Sequence, residues 1–383
     1  MKPTWNPESD QVNRDQVSAY DEMRLRCPVA HSESLGWSVF RHADVMRVLH
    51  EHQTFSNQVS QHLSVPNGMD PPEHTVYRKI IERYFTSDSV AAFEPTCQQI
   101  ATKLLREAYG RGSDIEVMTE LASHFAVRVQ CAFLGWPTDL HDPLLRWASD
   151  QQHATGAGDR ESLSRLAAEL QLIVNDLISN RRLNNADTNN DVTSSLMNET
   201  ISQRQLSNEE VSSILRNWTV GELATIAASI GILIHHLAQH PDHQSLLRRD
   251  PSMLPVAIDE ILRVHNPLHG NRRKTTCPAQ LGGVDIDAGE RVYLNWIAAN
   301  RDEIVFEDAG TVKFDRDPQH NLLYGSGIHV CPGAPLARME LRVMMESLLQ
   351  QTASFTLDPT RTAEPAAYPD SGYTTVFTRF QWK

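Results

Sequence analysis

The run LATIAASIGILI, Leu223–Ile234, is apolar nearly all round rather than along one face. A helix of that pattern is buried on most sides. Ser207 with Glu210 three residues on is a capping-box start, and the helical pattern continues to about Gln239, just before His240-Pro241. Roughly thirty residues at about 1.5 Å each span on the order of 45 Å, so the helix crosses the whole protein. Around it, residues 88–182 read as a series of amphipathic helices, with breaks at Gly110–Ser113 and Gly135–Pro137. Pro255–Val264 and the stretch from about Pro335 are helical as well. Strand signals are fewer. Trp37–Phe40 is an apolar run leading into a short helix to about His50, Leu281–Asn300 reads as a hairpin around the DAGE turn followed by a strand and a short helix, and Tyr368–Phe380 is strand-like. Ser56–Pro72 is a polar, proline-bearing loop, and Asn184–Ser207 reads as a surface connection with one short helix.

Composition narrows the class. At 383 residues with 40% hydrophobic content the chain can build a large core. A formal charge of −13 disfavours nucleic acid and anionic membranes as partners. The N-terminus carries no basic-then-apolar signal and no run long enough to span a bilayer precedes the core, so a soluble, cytoplasmic protein is expected. Five cysteines (Cys27, Cys97, Cys131, Cys277, Cys331) lack CxxC spacing, which argues against disulfide scaffolding and against a zinc site.

One cysteine stands in special company. The stretch YGSGIHVCPG, Tyr324–Gly333, sets Cys331 among Gly325, Gly327 and Gly333, with a proline after it and His329 two residues before. Glycines let backbone N–H groups approach one atom closely, and the following helix presents its electropositive N-terminus. Both effects favour a thiolate, the ligand a haem iron uses where O–O cleavage is to be promoted.

This run resembles the haem-ligand loop of the cytochrome P450 family, F-G-x-G-x-H-x-C-x-G, with Tyr324 in place of the usual phenylalanine. The resemblance implies a mainly α fold, with small β-sheets enclosing a b-type haem between the long helix and the Cys331 loop. One domain over 1–383 is expected. On the helix after DPPEH, His74 and Arg78 lie four apart on one face; a solvated face is the plain reading, and the resemblance makes both of them haem-propionate partners. It adds Arg273, rather than Arg272, and His329 to that set. In the family the long helix carries [AG]-G-x-[DE]-T, and here the matching residues are Gly221-Glu222-Leu223-Ala224-Thr225. Thr225 then handles oxygen and protons, unless its hydroxyl merely bonds back to its own i−4 carbonyl. The usual acid is missing at Ala224. Glu222, one face-sharing step before Thr225, is either a displaced proton source or half of a structural salt bridge.

Glu260 and Arg263 form E-x-x-R, with Arg316 as the third member of a structural cluster. Val220, Ala224, Leu268, His269 and Thr375 are the expected substrate-pocket residues, with Val59, Leu63, Val65 and Asn271 as further candidates. The implied activity is haem-dependent monooxygenation with dioxygen as co-substrate, on a small, mostly apolar molecule. Hydroxylation is the expected outcome, or O-dealkylation of an ether. Electrons would come from a separate ferredoxin docking near Arg338 and Arg342, which otherwise read as a solvated helix face. A monomer is expected. Two other readings stand beside this one, a peroxide-driven peroxygenase and a non-catalytic haem-binding protein.

Overall fold

The computed structural model describes residues 3–183 and 191–383. The polar connection read over residues 184–207 therefore lies partly outside the described residues; from Asp191 onward it holds a short helix, Val192–Met197, and a small hairpin.

Seven helices position the site: α1 (Glu73–Glu82), α2 (Ser87–Arg111), α3 (Ser123–Leu134), α4 (Asn208–Gln239), α5 (Pro241–Arg249), α6 (Leu254–Val264) and α7 (Ala334–Gln351). The capping box at the start of α4 forms in full, with Ser207 accepting from the Glu210 amide and Glu210 accepting from the Ser207 amide. Residues Ile226–Ile234 of α4 are buried without a break, as the all-round apolar pattern requires. By length and composition α4 could cross a membrane, but 67% of its most apolar window is buried inside the protein, so its apolarity serves the core. Helices α3, α6 and α7 pack on it, and α2 packs along α7. Each fully buried Leu or Ile there contributes about 1.5–3 kcal/mol relative to exposure.

A five-stranded sheet lies beside the helices: β1 (Val29–Ser32), β2 (Gly36–Val39), β3 (Phe55–Ser56), β4 (Gly270–Thr275) and β5 (Arg291–Asn295), in the order β1-β2-β5-β4-β3. Only the β2–β5 pair is parallel. Strand alternation decides between two neighbouring arginines. Arg273 pairs opposite Val292 and is buried, whereas Arg272 pairs opposite Tyr293 and is exposed. A second sheet joins Thr352–Leu357, Phe377–Trp382 and Asp114–Glu116.

The hairpin expected around DAGE turns one step earlier. Ala279–Leu281 pairs with Val284–Ile286 around Gly282-Gly283, and residues 287–290 lead instead into β5. Two adjacent glycines, both with positive φ, make the tighter turn. Val65, expected near substrate, is fully buried in the main apolar cluster, and its amide donates to Ser213 Oγ.

Candidate functional site

The Cys331 loop is shaped by its glycines. Gly325 and Gly327 take positive φ of 72° and 71°. A Cβ at Gly327 would lie 2.5 Å from the Leu49 carbonyl oxygen, so the loop could not close on the end of the helix His42–His50 with any other residue. The Cys331 amide donates to the Tyr324 carbonyl at 2.9 Å, and the amides of Gly333 and Ala334 point at the thiol. Gly333 comes within 3.9 Å of Sγ measured from the place of a Cβ. Tyr324 is deeply set, with the Arg338 guanidinium stacked 4.5 Å over its ring.

These surroundings do not by themselves give the thiolate expected from glycines and helix N-terminus. Burial raises the Cys331 thiol and outweighs the Gly333 and Ala334 amides and Arg78, which pull it down; Glu222 adds to the rise. Desolvation of an anion is a larger effect than two amides can offset. A metal ion bound at the sulfur would reverse that balance. Although closely surrounded, Cys331 retains accessible surface.

Beside the thiol lies a group of nitrogen bases. His74 is buried and its ring sits 4.2 Å from that of His329. Nε2 of each is buried without a hydrogen-bond partner. Burial pushes His329 down to about 3, and the charges of His74, Arg273 and Arg78 push the same way, so the four groups share one small space. Arg273 is 5% exposed, and the bond its side chain makes is to the Arg272 carbonyl, at 2.8 Å. No carboxylate of the described residues pairs with it. Burial lowers it to about 10. Arg78 has a partner, Glu82, at 2.7 Å. Buried cations and donors left this way call for anions.

On the opposite wall, α4 is close enough for Glu222 to raise the Cys331 thiol. Val220, Gly221 and Ala224 keep accessible surface on a helix otherwise deep in the core, as does Leu268 at the approach to β4. Thr225 donates its hydroxyl to the Gly221 carbonyl at 2.7 Å, the i−4 bond foreseen as its plain role, and Ser229 repeats the motif onto Thr225. The lone pairs of Thr225 Oγ1 stay available as acceptors. Glu222 forms no salt bridge among the described residues, which removes one of its two readings. Its carboxyl group faces that of Glu340 on α7; Glu340 is fully buried, Glu222 is half-buried with its Oε1 hidden, and no other described donor reaches these hidden oxygens. Burial raises both, Glu340 well above the ordinary carboxylate range, and their mutual contact can exist only with a proton between them. Glu340 escaped the sequence reading. Its signal was a charged residue on the apolar stripe of α7, in register with Leu336, Val343, Met344 and Ser347, all buried except in polarity.

Glu260, Arg263 and Arg316 do come together. Arg263 makes a two-pronged pair with Glu260 at 2.8 and 2.9 Å, and Arg316 Nε reaches Glu260 at 3.0 Å. The backbone carbonyls of Asn300 and Ala309 take the remaining Arg263 donors.

Other expected residues stand elsewhere. His269 does not face a pocket: its two ring nitrogens are bonded to the hydroxyls of Tyr20 and Tyr293, the latter at 2.5 Å, and it is 2% exposed. Burial drops it to about 3, a neutral core histidine. Asn271 accepts from the Trp296 indole. Thr375 lies in a short hairpin opposite Glu364 with its hydroxyl inaccessible. Arg338 and Arg342 are committed to Asp259 at 2.9 Å and Glu94 at 2.7 Å, so neither is a free cation. A cleft of about 570 Å³, lined by Leu63, Gln171 and Arg216 among others, takes in the candidate Leu63 but none of Val220, Ala224, Leu268, His269 and Thr375.

A thiol with accessible surface, a buried guanidinium and two ring nitrogens without bonded anions among the described residues, and a long helix across from both fit a porphyrin with an iron centre and two carboxylates. Comparison with known proteins agrees. The family model described as Cytochrome P450 matches residues 157–381. The mycinamicin IV hydroxylase/epoxidase of Micromonospora griseorubida is 31% identical, over 91% of this chain and 91% of that protein. The erythromycin C-12 hydroxylase of Saccharopolyspora erythraea is 29% identical, over 88% and 87%. The structure of cytochrome P450 CYP109Q5 from Chondromyces apiculatus superposes with a TM-score of 0.89 at 26% identity and covers all of both chains. The chain belongs to the cytochrome P450 family. It is a monooxygenase whose cofactor is haem and whose co-substrate is dioxygen, with electrons from a redox partner.

Proposed function

We propose that Cys331 is the sulfur ligand of the haem iron and that the enzyme hydroxylates a small, uncharged, mostly apolar organic molecule, or dealkylates it where the substrate is an ether. The observation that carries this is the buried Arg273 guanidinium without a bonded carboxylate, together with the unpartnered ring nitrogens of His74 and His329, beside an accessible thiol. Haem, when bound, binds and activates dioxygen. The chain would hold it there: His74, Arg78, Arg273 and His329 would meet the propionates, and Cys331 would supply the sulfur ligand. Tyr324, Gly325 and Gly333 keep that sulfur in place.

Proton supply runs along α4. The Glu222–Glu340 pair stores a proton at the edge of the core, and Glu222 lies one turn from Thr225 on the same face. Thr225 Oγ1 keeps a lone pair free to accept while its hydroxyl donates to the Gly221 carbonyl, which orients it. This arrangement takes the place of the acid absent at Ala224.

Val220, Ala224 and Leu268 give the pocket an aliphatic lining, and with His269 withdrawn into the core no basic group remains in it. That supports an uncharged substrate. The names of the relatives, acting on mycinamicin IV and erythromycin, widen the search to larger natural products. We also read residues 1–383 as one domain, since a single apolar cluster draws on residues from Val65 to Phe380. A cytoplasmic monomer reduced by a ferredoxin completes the reading. Because Arg338 and Arg342 are already paired, docking rests on shape and on other contacts more than on these two.

The test is the reduced, carbon monoxide-bound holoprotein. Thiolate ligation gives a strongly red-shifted Soret band, and Cys331→His abolishes that shift while haem stays bound. An unshifted band in the wild type would sink the assignment. Spin-state titration against terpenes, aromatic ethers and macrocyclic natural products then selects the substrate class. Turnover with hydrogen peroxide but not with ferredoxin and reductase would select the peroxygenase alternative.

A further inference from the structure

Where α4 ends and α5 begins, the sequence HHLAQHPDH gathers histidines that the oxygenase reading does not use. His236 lies in the last turn of α4, His240 caps it, and His243 stands in the first turn of α5. One ring nitrogen from each of the three lies within 4.8 Å of the others. We propose that His236, His240 and His243 form a binding site for one Zn²⁺ ion, with a water as fourth ligand. Cysteine spacing could not reveal it, since every ligand is an imidazole.

The tautomers are already set for ligation. His240 donates Nδ1–H to the His236 carbonyl at 2.8 Å, which leaves the Nε2 lone pair free. A ring nitrogen fixed by a backbone carbonyl in this way is the usual support of a metal-bound histidine. His236 Nε2 and His243 Nδ1 stand 3.1 Å apart, a gap that a zinc ion at about 2.0–2.1 Å from each nitrogen would bridge. On the far side of His243, the Asp242 carboxylate lies 4.0 Å from Nε2, placed to favour hydrogen at that nitrogen and a lone pair at Nδ1.

The location suits a cation. The last carbonyls of a 32-residue helix converge there, at the negative end of its dipole. His236 is buried in the wall, His243 half-buried and His240 exposed, so an ion can enter from solvent and meet a rigid inner ligand. Without metal, the rings stack with centroids 4.1–5.3 Å apart and interplanar angles of 16–26°. Ligation requires His240 and His243 to turn about their side-chain bonds, which their accessibility permits. The bound ion would then pin the end of the helix carrying Thr225 to α5.

The experiment uses haem-loaded protein treated with chelator and then titrated calorimetrically with Zn²⁺. One saturable equivalent per chain is expected, together with a rise in the thermal midpoint as zinc is added. Loss of a mere supporting partner weakens metal sites by roughly 10–100-fold, so the double variant His240→Ala/His243→Ala should lose at least about tenfold in affinity. His153→Ala, an exposed histidine elsewhere, should bind as the wild type does. An unchanged isotherm in the double variant, or no saturable binding to the wild type, overturns the proposal. Should the double variant fail to retain its haem spectrum, His240→Ala alone decides it by the same criterion, because that side chain is exposed.

Discussion

Two buried charged regions of this protein are built on opposite terms. At Glu260, Arg263 and Arg316 every charge finds a counter-charge, and the spare guanidinium donors of Arg263 find the carbonyls of Asn300 and Ala309. At His74, Arg273 and His329 the guanidinium and two ring nitrogens are hidden as well, yet among the described residues no carboxylate bonds to them, and Asp70 acts on His74 and Arg273 only from a distance. The first region is complete within the chain. The second makes sense only with a dianionic ligand among its members, because buried polar groups without partners are costly. The contrast teaches that a cofactor's charge can be read from what a protein leaves unpaired.

The sharpest way to break the contrast is to spoil the complete region. Glu260→Ala would leave Arg263, with no accessible surface, facing no carboxylate but surrounded by carbonyls. Removing one partner of a buried pair costs about 3–5 kcal/mol. Urea unfolding followed by tryptophan fluorescence should show a loss of that size. A loss under about 1 kcal/mol would mean that the cluster is far wetter than its burial implies.

Next in size is the carboxyl pair on the catalytic wall. General acid–base groups contribute about 10²–10⁴-fold, so Glu222→Gln should cut turnover at saturating substrate by about a hundredfold and shift its pH profile. Uncoupled peroxide release should increase, because reduced oxygen leaves when protons arrive late or at the wrong place. A structural role alone would lower stability and leave the pH profile where it was. Glu340→Gln keeps a proton donor facing Glu222 and should behave less severely.

Much of this site was legible in the chain because it depends on local geometry. Gly325, Gly327 and Cys331 must lie in fixed order for the loop to close, and the family resemblance chose Arg273 over Arg272, a choice for which the structure supplies a reason in strand alternation. The Glu260–Arg263 pair needs only helical spacing, and Arg316 follows within the same contiguous half. What could not be read depends on distant segments meeting. His269 was drawn away from the pocket by Tyr20, on an N-terminal helix 249 residues earlier. Glu340 acquires its meaning from Glu222 on another helix. The direction of the Cys331 thiol depended on a balance, burial against two amides, that composition does not weigh.

A third prediction sharpens the contrast by reversing a sign. Arg273→Met removes a buried charge that no carboxylate of the described residues bonds, Asp70 acting on it only from a distance. In haem-free protein this should raise stability by about 1–2 kcal/mol, as replacing buried charges with apolar groups often does. In holoprotein the same change removes a propionate partner, so haem should transfer to an acceptor globin faster than from the wild type. Equal destabilisation in both forms would show that Arg273 is structural, and would remove it from the cofactor's partners.

The smallest effect belongs to a comparison within one helix. Glu210 and Glu222 both lie on α4, yet Glu210 is held down to about 2 while Glu222 is raised. The Arg204 guanidinium does most of this at Glu210, at 2.6 and 2.7 Å, against an opposing burial effect and with help from the Tyr77 hydroxyl and the Ser207 amide. A carboxylate depressed in the folded state stabilises it fully above the unfolded value of 4.5, and that stability is lost as pH falls from there towards about 2. Arg204 is half exposed, which screens the pair, so its contribution near neutrality is about 1–2 kcal/mol rather than the full value of the shift. Glu210→Gln keeps the capping-box geometry and removes only the charge. Its stability should fall short of the wild type by that amount at pH 7, and the gap should close between about pH 4.5 and 2. A gap that persists unchanged through this window would assign the loss to packing at Tyr77 rather than to the ionised carboxylate.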